Sequence, residues 1–299
     1  MLGGVCPVLE TPFTADGEVD TGSFTRMVSH VLGTGAGSVM FPGYASEFHK
    51  LTDVERVALR DLLLAETRDR PGIAAVISVP DHATHVAVRR AVEAVEVGAD
   101  AVNLLPPYLL GPSEGAVTGH LRAVLDAVAP TPVVLQYAPA QTGTSLTAAT
   151  IAGLAADHPN LRYVKVESAP PGALVSALSG TVDCLVGYAG LQLPDALRRG
   201  VVGVQPGCSF TELYVAIWRY WHAGRRDDAL ALHRRLLPYL SYWMQHVELV
   251  VAAEKLISVR RGLIDTPLCR APGWALDVEE TATVDRFLDE FSAELTSEK

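Results

Sequence analysis

Apolar and β-branched residues gather into eight short runs, each bounded by glycine, proline or polar turn residues. They are GGVCPVLE from Gly3, GSVMFPG from Gly37, GIAAVISVP from Gly72, DAVNLLPP from Asp100, TPVVLQYAP from Thr131, LRYVKVES from Leu161, TVDCLVGYAG from Thr181 and GVVGVQPG from Gly200. Between them lie stretches of helical period, such as DVERVALRDLLLAETRD after Thr52 and HATHVAVRRAVEAVEVG after Asp81. Strands alternating with helices at a repeat of about 30 residues imply parallel pairing through right-handed crossovers. Eight such units predict an α/β fold, a (β/α)8 barrel. A doubly wound open sheet is the competing arrangement, but no GxGxxG follows the first run to support its dinucleotide site.

After the eighth run the pattern is helical only, over roughly Thr211 to Ala223, Arg226 to Leu249, Val250 to Gly262 and Val278 to Leu295. This predicts a barrel over residues 1–223 and a C-terminal helical extension over 224–299 packed against it. No Gly/Ser-rich or Pro-rich linker separates the two, so an independently moving second domain is not expected.

Charge then narrows the partners. A formal net charge of −10 lacks the clustered basic face that nucleic acid or an anionic membrane would need, which favours a small molecule. The four cysteines, Cys6, Cys184, Cys208 and Cys269, are scattered and form no CxxC pair, as expected of free thiols in a reducing cytoplasm. MLGGVCPVLETPF shows no basic segment followed by an apolar one, and no run reaches about 18 apolar residues, so neither export nor membrane insertion is expected.

The candidate chemistry begins with a lysine in a strand. Only four lysines occur in 299 residues, and one, Lys165, stands in the middle of LRYVKVES. Side chains alternate along a barrel strand, so Tyr163, Lys165 and Glu167 share one face and Val164 and Val166 the other. The valines suit packing against helices, which leaves Lys165 pointing inward near the C-terminal strand end where barrel active sites form. A desolvated amine is the nucleophile needed to condense with a carbonyl. A structural ion pair between Lys165 and Glu167 accounts for the same residues equally well. After the second run, Gly43 would let the chain turn so that successive N–H groups form a nest for a carboxylate; a tight turn over a buried Glu47 is the alternative. His82 and His85 stand three apart but open a polar helix, and no metal is expected there. Lys255, among helical charges, reads as a surface or interface residue.

Taken together, GYASEFHKL after the second run, QYAPAQTG after the fifth, the lysine of YVKVES, and the GYAG and GVVGVQPG segments resemble the dihydrodipicolinate synthase and N-acetylneuraminate lyase family. Their order and spacing match over almost the whole chain. The resemblance implies a (β/α)8 barrel, assembled as a homo-oligomer (dimer or tetramer), in which Lys165 forms a Schiff base with pyruvate or another 2-oxo acid. It also implies that no metal or organic cofactor is needed. Substrate contacts would come from Gly43, Ala45, Ser46, Gln136, Gln141, Glu167, Gly187 and Gln205.

Departures from the family pattern redirect the expectation. Both hydroxyl positions of the family's loop are altered in Gly43-Tyr44-Ala45-Ser46-Glu47, the strand-five tyrosine aligns with Gln136, the cross-interface tyrosine with Leu109, and the carboxylate-binding arginine with Gln141. True dihydrodipicolinate synthesis is therefore not expected. The glutamine and the Arg260-Arg261-Gly262 segment resemble the branch of 2-keto-3-deoxy sugar acid dehydratases. Some residue must still move protons, and Tyr137, Tyr44 and Glu167 are the candidates. The expectation is a lyase acting by aldol cleavage, condensation or dehydration. A specialised aldolase for a less polar substrate, or a degenerate barrel that binds a 2-oxo acid without turnover, stand as alternatives.

Overall fold

The computed structural model describes residues 2–296. Eight parallel strands with helices between them make the fold a (β/α)8 barrel with a C-terminal helical part. The strands are β1 (Gly4–Val5), β2 (Ser38–Phe41), β3 (Ala74–Val79), β4 (Ala101–Leu104), β5 (Val133–Tyr137), β6 (Leu161–Val166), β7 (Asp183–Val186) and β8 (Gly203–Val204). Each falls within one of the eight apolar runs. Among the described residues no helix is long and apolar enough to cross a membrane.

The chain divides into two compact units. One comprises Ala74–Gln205 with the N-terminal residues up to Gly3, and the other runs from Gly4 to Ile73 and from Pro206 on. In the first unit β3 to β8 pair in sequence order, all parallel. β4 and β5 are buried at every residue, including their one amide each, Asn103 and Gln136, so neither shows an alternation of buried and exposed positions. Register sets Ser78 beside Asn103, Gln136 beside Lys165, and Lys165 beside Leu185. An irregularity between Val133 and Val134 shifts the β5–β6 pairing by one residue.

In the second unit Val8 bridges to both Met40 and Gly207, and Phe24 meets Phe41 edge-on at 5.4 Å between ring centroids. The helix Thr21–Gly33 is capped by Asp20, which accepts from Ser23 N, and the helix Asp53–Thr67 starts with a reciprocal Thr52–Glu55 capping box. Four longer helices follow β8: Thr211–His222, Arg226–Trp243, Val247–Arg260 and Val278–Glu290. An aromatic cluster of Phe210, Tyr239, Trp243, Phe287 and Phe291 joins the helices Arg226–Trp243 and Val278–Glu290 to the turn before Thr211, with Phe210 and Phe287 centroids 5.0 Å apart. The second helix ends at Trp243, earlier than its apolar pattern implies, because extended His246 turns the chain and its Nδ1 caps Glu248 N at 3.1 Å.

Lys255 corrects the expectation of a surface residue. It is fully buried in the second unit, ion-paired with Glu47, donating to Leu268 O at 2.8 Å and lying 4.3 Å from the centre of the Phe13 ring. A cation removed from water needs such partners. Helical spacing reports only which residues share a face; it does not report a carboxylate supplied 208 positions away.

Candidate active site

The first unit holds the lysine that the sequence singles out. Lys165 is the penultimate residue of β6, and its strand direction is continued by Glu167, whose N–H donates to Tyr137 O at 2.8 Å. Both residues are buried, 4% and 8% exposed, and Lys165 Nζ lies 3.2 Å from Glu167 Oε1. The other carboxylate oxygen, Oε2, accepts from Gln136 Nε2 at 2.8 Å. Lysine, carboxylate and amide thus meet on one face at the C-terminal ends of β5 and β6, the end where barrel enzymes carry their chemistry.

Gln136 is itself held from behind. Its Oε1 accepts from Asn103 Nδ2 at 2.9 Å, and the same nitrogen donates to Ser78 Oγ at 2.9 Å. Asn103 and Ser78 are site residues that the sequence reading does not single out. The signal was present, since Asn103 is a lone amide inside the apolar DAVNLLPP run, but its face becomes evident only with the β3–β4 register.

The structure directs Tyr137 away from Lys165. Tyr137 pairs in register with Val166, on the opposite face from Gln136, and its hydroxyl donates to Leu146 O at 3.1 Å while accepting from Leu146 N at 3.3 Å. Its hydroxyl is committed to the loop after β5. Gln141 and Tyr188, both half-buried, meet through Gln141 Nε2 and the phenol oxygen at 3.2 Å. They follow β5 and β7, the two neighbours of β6. Gly187 is required by space: a Cβ there would overlap Glu167 Cγ and Oε1. The Gln205 side chain is buried, and its backbone N–H donates to Val186 O at 2.9 Å.

Gly43, Tyr44, Ala45 and Ser46 belong to the second unit, where their loop is wired internally. Ser46 Oγ accepts from Gly43 N at 2.8 Å, and the Ser46 and Glu47 N–H groups bond to Gly43 O and Tyr44 O, both at 3.0 Å. Three of the N–H groups expected to form an anion nest are therefore engaged within the loop. Gly43 has φ −141°, which any residue adopts. Glycine is needed there for room instead, because a Cβ would lie 2.6 Å from Val8 Cγ1. The left-handed residue is Glu47, at φ 52°. It is fully buried and met by Lys50 Nζ at 3.0 Å, by Lys255, and by Arg270 N at 3.1 Å. Tyr44 stacks obliquely on Phe48, with centroids 5.4 Å apart.

Beside these pairs, two further carboxyls of the second unit are fully buried. Burial, opposed by nearby Lys255, pushes Glu10 up to about 7. Burial together with the Glu10 charge pushes Glu254 up to about 8. Arg261 of the Arg260-Arg261-Gly262 segment pairs with Glu212 at 2.6 Å, a structural use of that segment.

The fold and site define a (β/α)8 barrel with a buried lysine–carboxylate pair at the end of its sixth strand, and sequence comparison gives the family. The model of the dihydrodipicolinate synthetase family matches residues 1–291, and the chain belongs to this family of lyases and aldolases. It is 29% identical to 4-hydroxy-tetrahydrodipicolinate synthase of Bacillus subtilis (strain 168), over 80% of this chain and 83% of that protein. It is equally 29% identical to L-2-keto-3-deoxyarabonate dehydratase of Azospirillum brasilense, over 80% and 79% respectively. Among solved structures, dihydrodipicolinate synthase from Rhodopseudomonas palustris superposes with a TM-score of 0.88 at 25% identity, covering 96% of this chain and 97% of that one.

Proposed function

We propose that this protein is a class I lyase that forms a Schiff base between Lys165 and a pyruvate-like 2-oxo acid, and that it cleaves, condenses or dehydrates a 2-keto-3-deoxy acid. The observation that carries this reading is the buried Lys165–Glu167 pair, 3.2 Å apart at a barrel strand end, in a member of a lyase family. Glu167 takes a proton from the Lys165 ammonium, and the freed amine attacks the C2 carbonyl. The Glu167 proton then passes to the carbinolamine hydroxyl, which leaves as water, so Glu167 is a carboxylate again beside a protonated imine that withdraws electrons from C3. In dehydration, Glu167 removes a C3 proton, the C–H electrons form the enamine, and the C4 hydroxyl leaves as water after protonation. In retro-aldol cleavage the C4 hydroxyl loses its proton, the C3–C4 bond breaks, and an aldehyde departs from the same enamine.

Glu167 is the proton carrier in this account because Tyr137 hydrogen-bonds to Leu146. The dehydratase relative supports the sugar-acid substrate class, and Gln141 in place of the family's arginine argues against an amino-acid semialdehyde. We place the protein in the cytoplasm as a homo-oligomer. The exposed leucines Leu109 (54%) and Leu110 (102%) favour a covered surface, and light scattering at micromolar concentration checks it. The catalytic reading is tested by borohydride reduction in the presence of pyruvate. An adduct on Lys165 that disappears in Lys165→Ala supports it, and no adduct with any 2-oxo acid overturns it in favour of a structural ion pair.

A further inference from the structure

We infer that Asn103, acting through Gln136, is a positioning residue that confines proton transfer to one oxygen of Glu167. The inference rests on the imine chemistry proposed above and adds to it a polar chain running across four strands: Ser78 on β3, Asn103 on β4, Gln136 on β5 and Glu167 just past β6. The directions of its hydrogen bonds are set from the Glu167 end, because an ionised carboxylate can only accept. Asn103 Nδ2 can only donate, and it donates to both Ser78 Oγ and Gln136 Oε1, each at 2.9 Å. With its oxygen engaged by a donor, Gln136 has only its Nε2 to present to Glu167, at 2.8 Å from Oε2. The reversed carboxamide would set Gln136 nitrogen against Asn103 nitrogen and Gln136 oxygen against the carboxylate, two repulsive contacts in a buried setting where unpaired polar groups are costly.

The assignment of donors therefore makes Glu167 Oε2 a permanent acceptor. A proton bound by Glu167 must sit on Oε1, the oxygen 3.2 Å from Lys165 Nζ. Asn103 is fully buried, and its own Oδ1 has no hydrogen-bond partner, so the amide gives up its own satisfaction while committing its donors to the chain. Gly187 closes the other side of the carboxylate, where no side chain fits. Among the described residues, the Glu167 carboxylate pairs with the Lys165 ammonium and the neutral Gln136 amide, and the Gly187 backbone lies against it.

The step affected is enamine formation. The C3–H bond of the imine breaks, its proton passes to Glu167 Oε1, and its electron pair enters the C2–C3 bond as the C=N electrons withdraw onto nitrogen. Without Asn103, Gln136 is free to turn, Glu167 Oε2 loses its fixed donor, and the carboxylate can rotate or bind its proton on the wrong oxygen. Imine formation at Lys165 is retained because the amine and its carboxylate remain adjacent.

The test uses pyruvate as the probe and separates the two steps. Borohydride trapping with intact mass after long incubation reads the imine, and loss of the pyruvate methyl proton signal in D2O, corrected for the Lys165→Ala rate, reads proton transfer. Asn103→Leu is expected to be trapped to the wild-type yield while exchanging at least tenfold more slowly. The pH profile of its exchange should differ from that of the wild type, because Glu167 Oε2 has lost its fixed donor. Asn103→Ala should do the same, and it carries the test if Asn103→Leu does not fold. Variants that are trapped and exchange with the wild-type rate and profile would overturn the inference alone. A wild-type protein that is neither trapped nor exchanges would overturn the proposed function, and this inference with it.

Discussion

At the scale of single residues, the proposed chemistry turns on Glu167 and the groups that pair with it. Glu167→Gln keeps the shape but cannot take a proton, and a drop in turnover of about 10²- to 10⁴-fold is expected in steady-state assays with a 2-keto-3-deoxy acid. Gly187→Ala places a methyl group where Glu167 already lies, so activity should fall and stability should drop by about 1–3 kcal/mol, read by urea unfolding. Lys165 was legible because strand alternation separates it from Val164 and Val166. Tyr137 was ambiguous because alternation is weakest at a strand end, and the competing partner, Leu146 in the next loop, is not marked by any spacing. Asn103 escaped notice for a related reason. A polar residue in an apolar run identifies neither its face nor its partner until neighbouring strands are in register.

At the scale of elements, all eight strands were legible because turn residues bracket each apolar run, and the helical segments because their period differs. What a linear pattern does not carry is which distant charges meet. The Glu47–Lys255 pair joins the loop after β2 to the helix Val247–Arg260, and Lys50 joins the same carboxylate. Breaking a buried pair from one side strands the other charge, so Lys255→Met should lower unfolding free energy by about 3–5 kcal/mol, toward the smaller figure because Lys50 remains. An unchanged midpoint in urea would contradict this role. The loop from Gly43 to Glu47 shows a similar division. Its sequence identified a special turn, whereas the reason for glycine, room beside Val8, emerges only from packing.

At the scale of the whole molecule, buried acids set how stability follows pH. Glu10 and Glu254 titrate near 7 and 8 in the folded protein, against about 4.5 unfolded, so the native state holds extra protons between these limits. Their contribution is therefore greatest at low pH and is lost as pH rises through 7 to 8. Glu55, held down to about 2 chiefly by Arg270, and Glu212, held down to about 2 by His30 and Arg261 against the opposing effect of burial, act in the other direction and lose their contribution as pH falls below about 4.5. The melting temperature should accordingly peak near pH 5 and decline on both sides, and Glu10→Gln should flatten the decline between pH 5 and 8. A melting temperature that rises steadily from pH 5 to 9 would contradict this. The central claim, that Lys165 forms the imine, is met most directly by the intact mass of the whole protein after borohydride reduction with pyruvate. A single added reduced pyruvyl group, mapped to Lys165 and absent from Lys165→Ala, is the predicted result. An unmodified mass with pyruvate and with larger 2-oxo acids alike would contradict it.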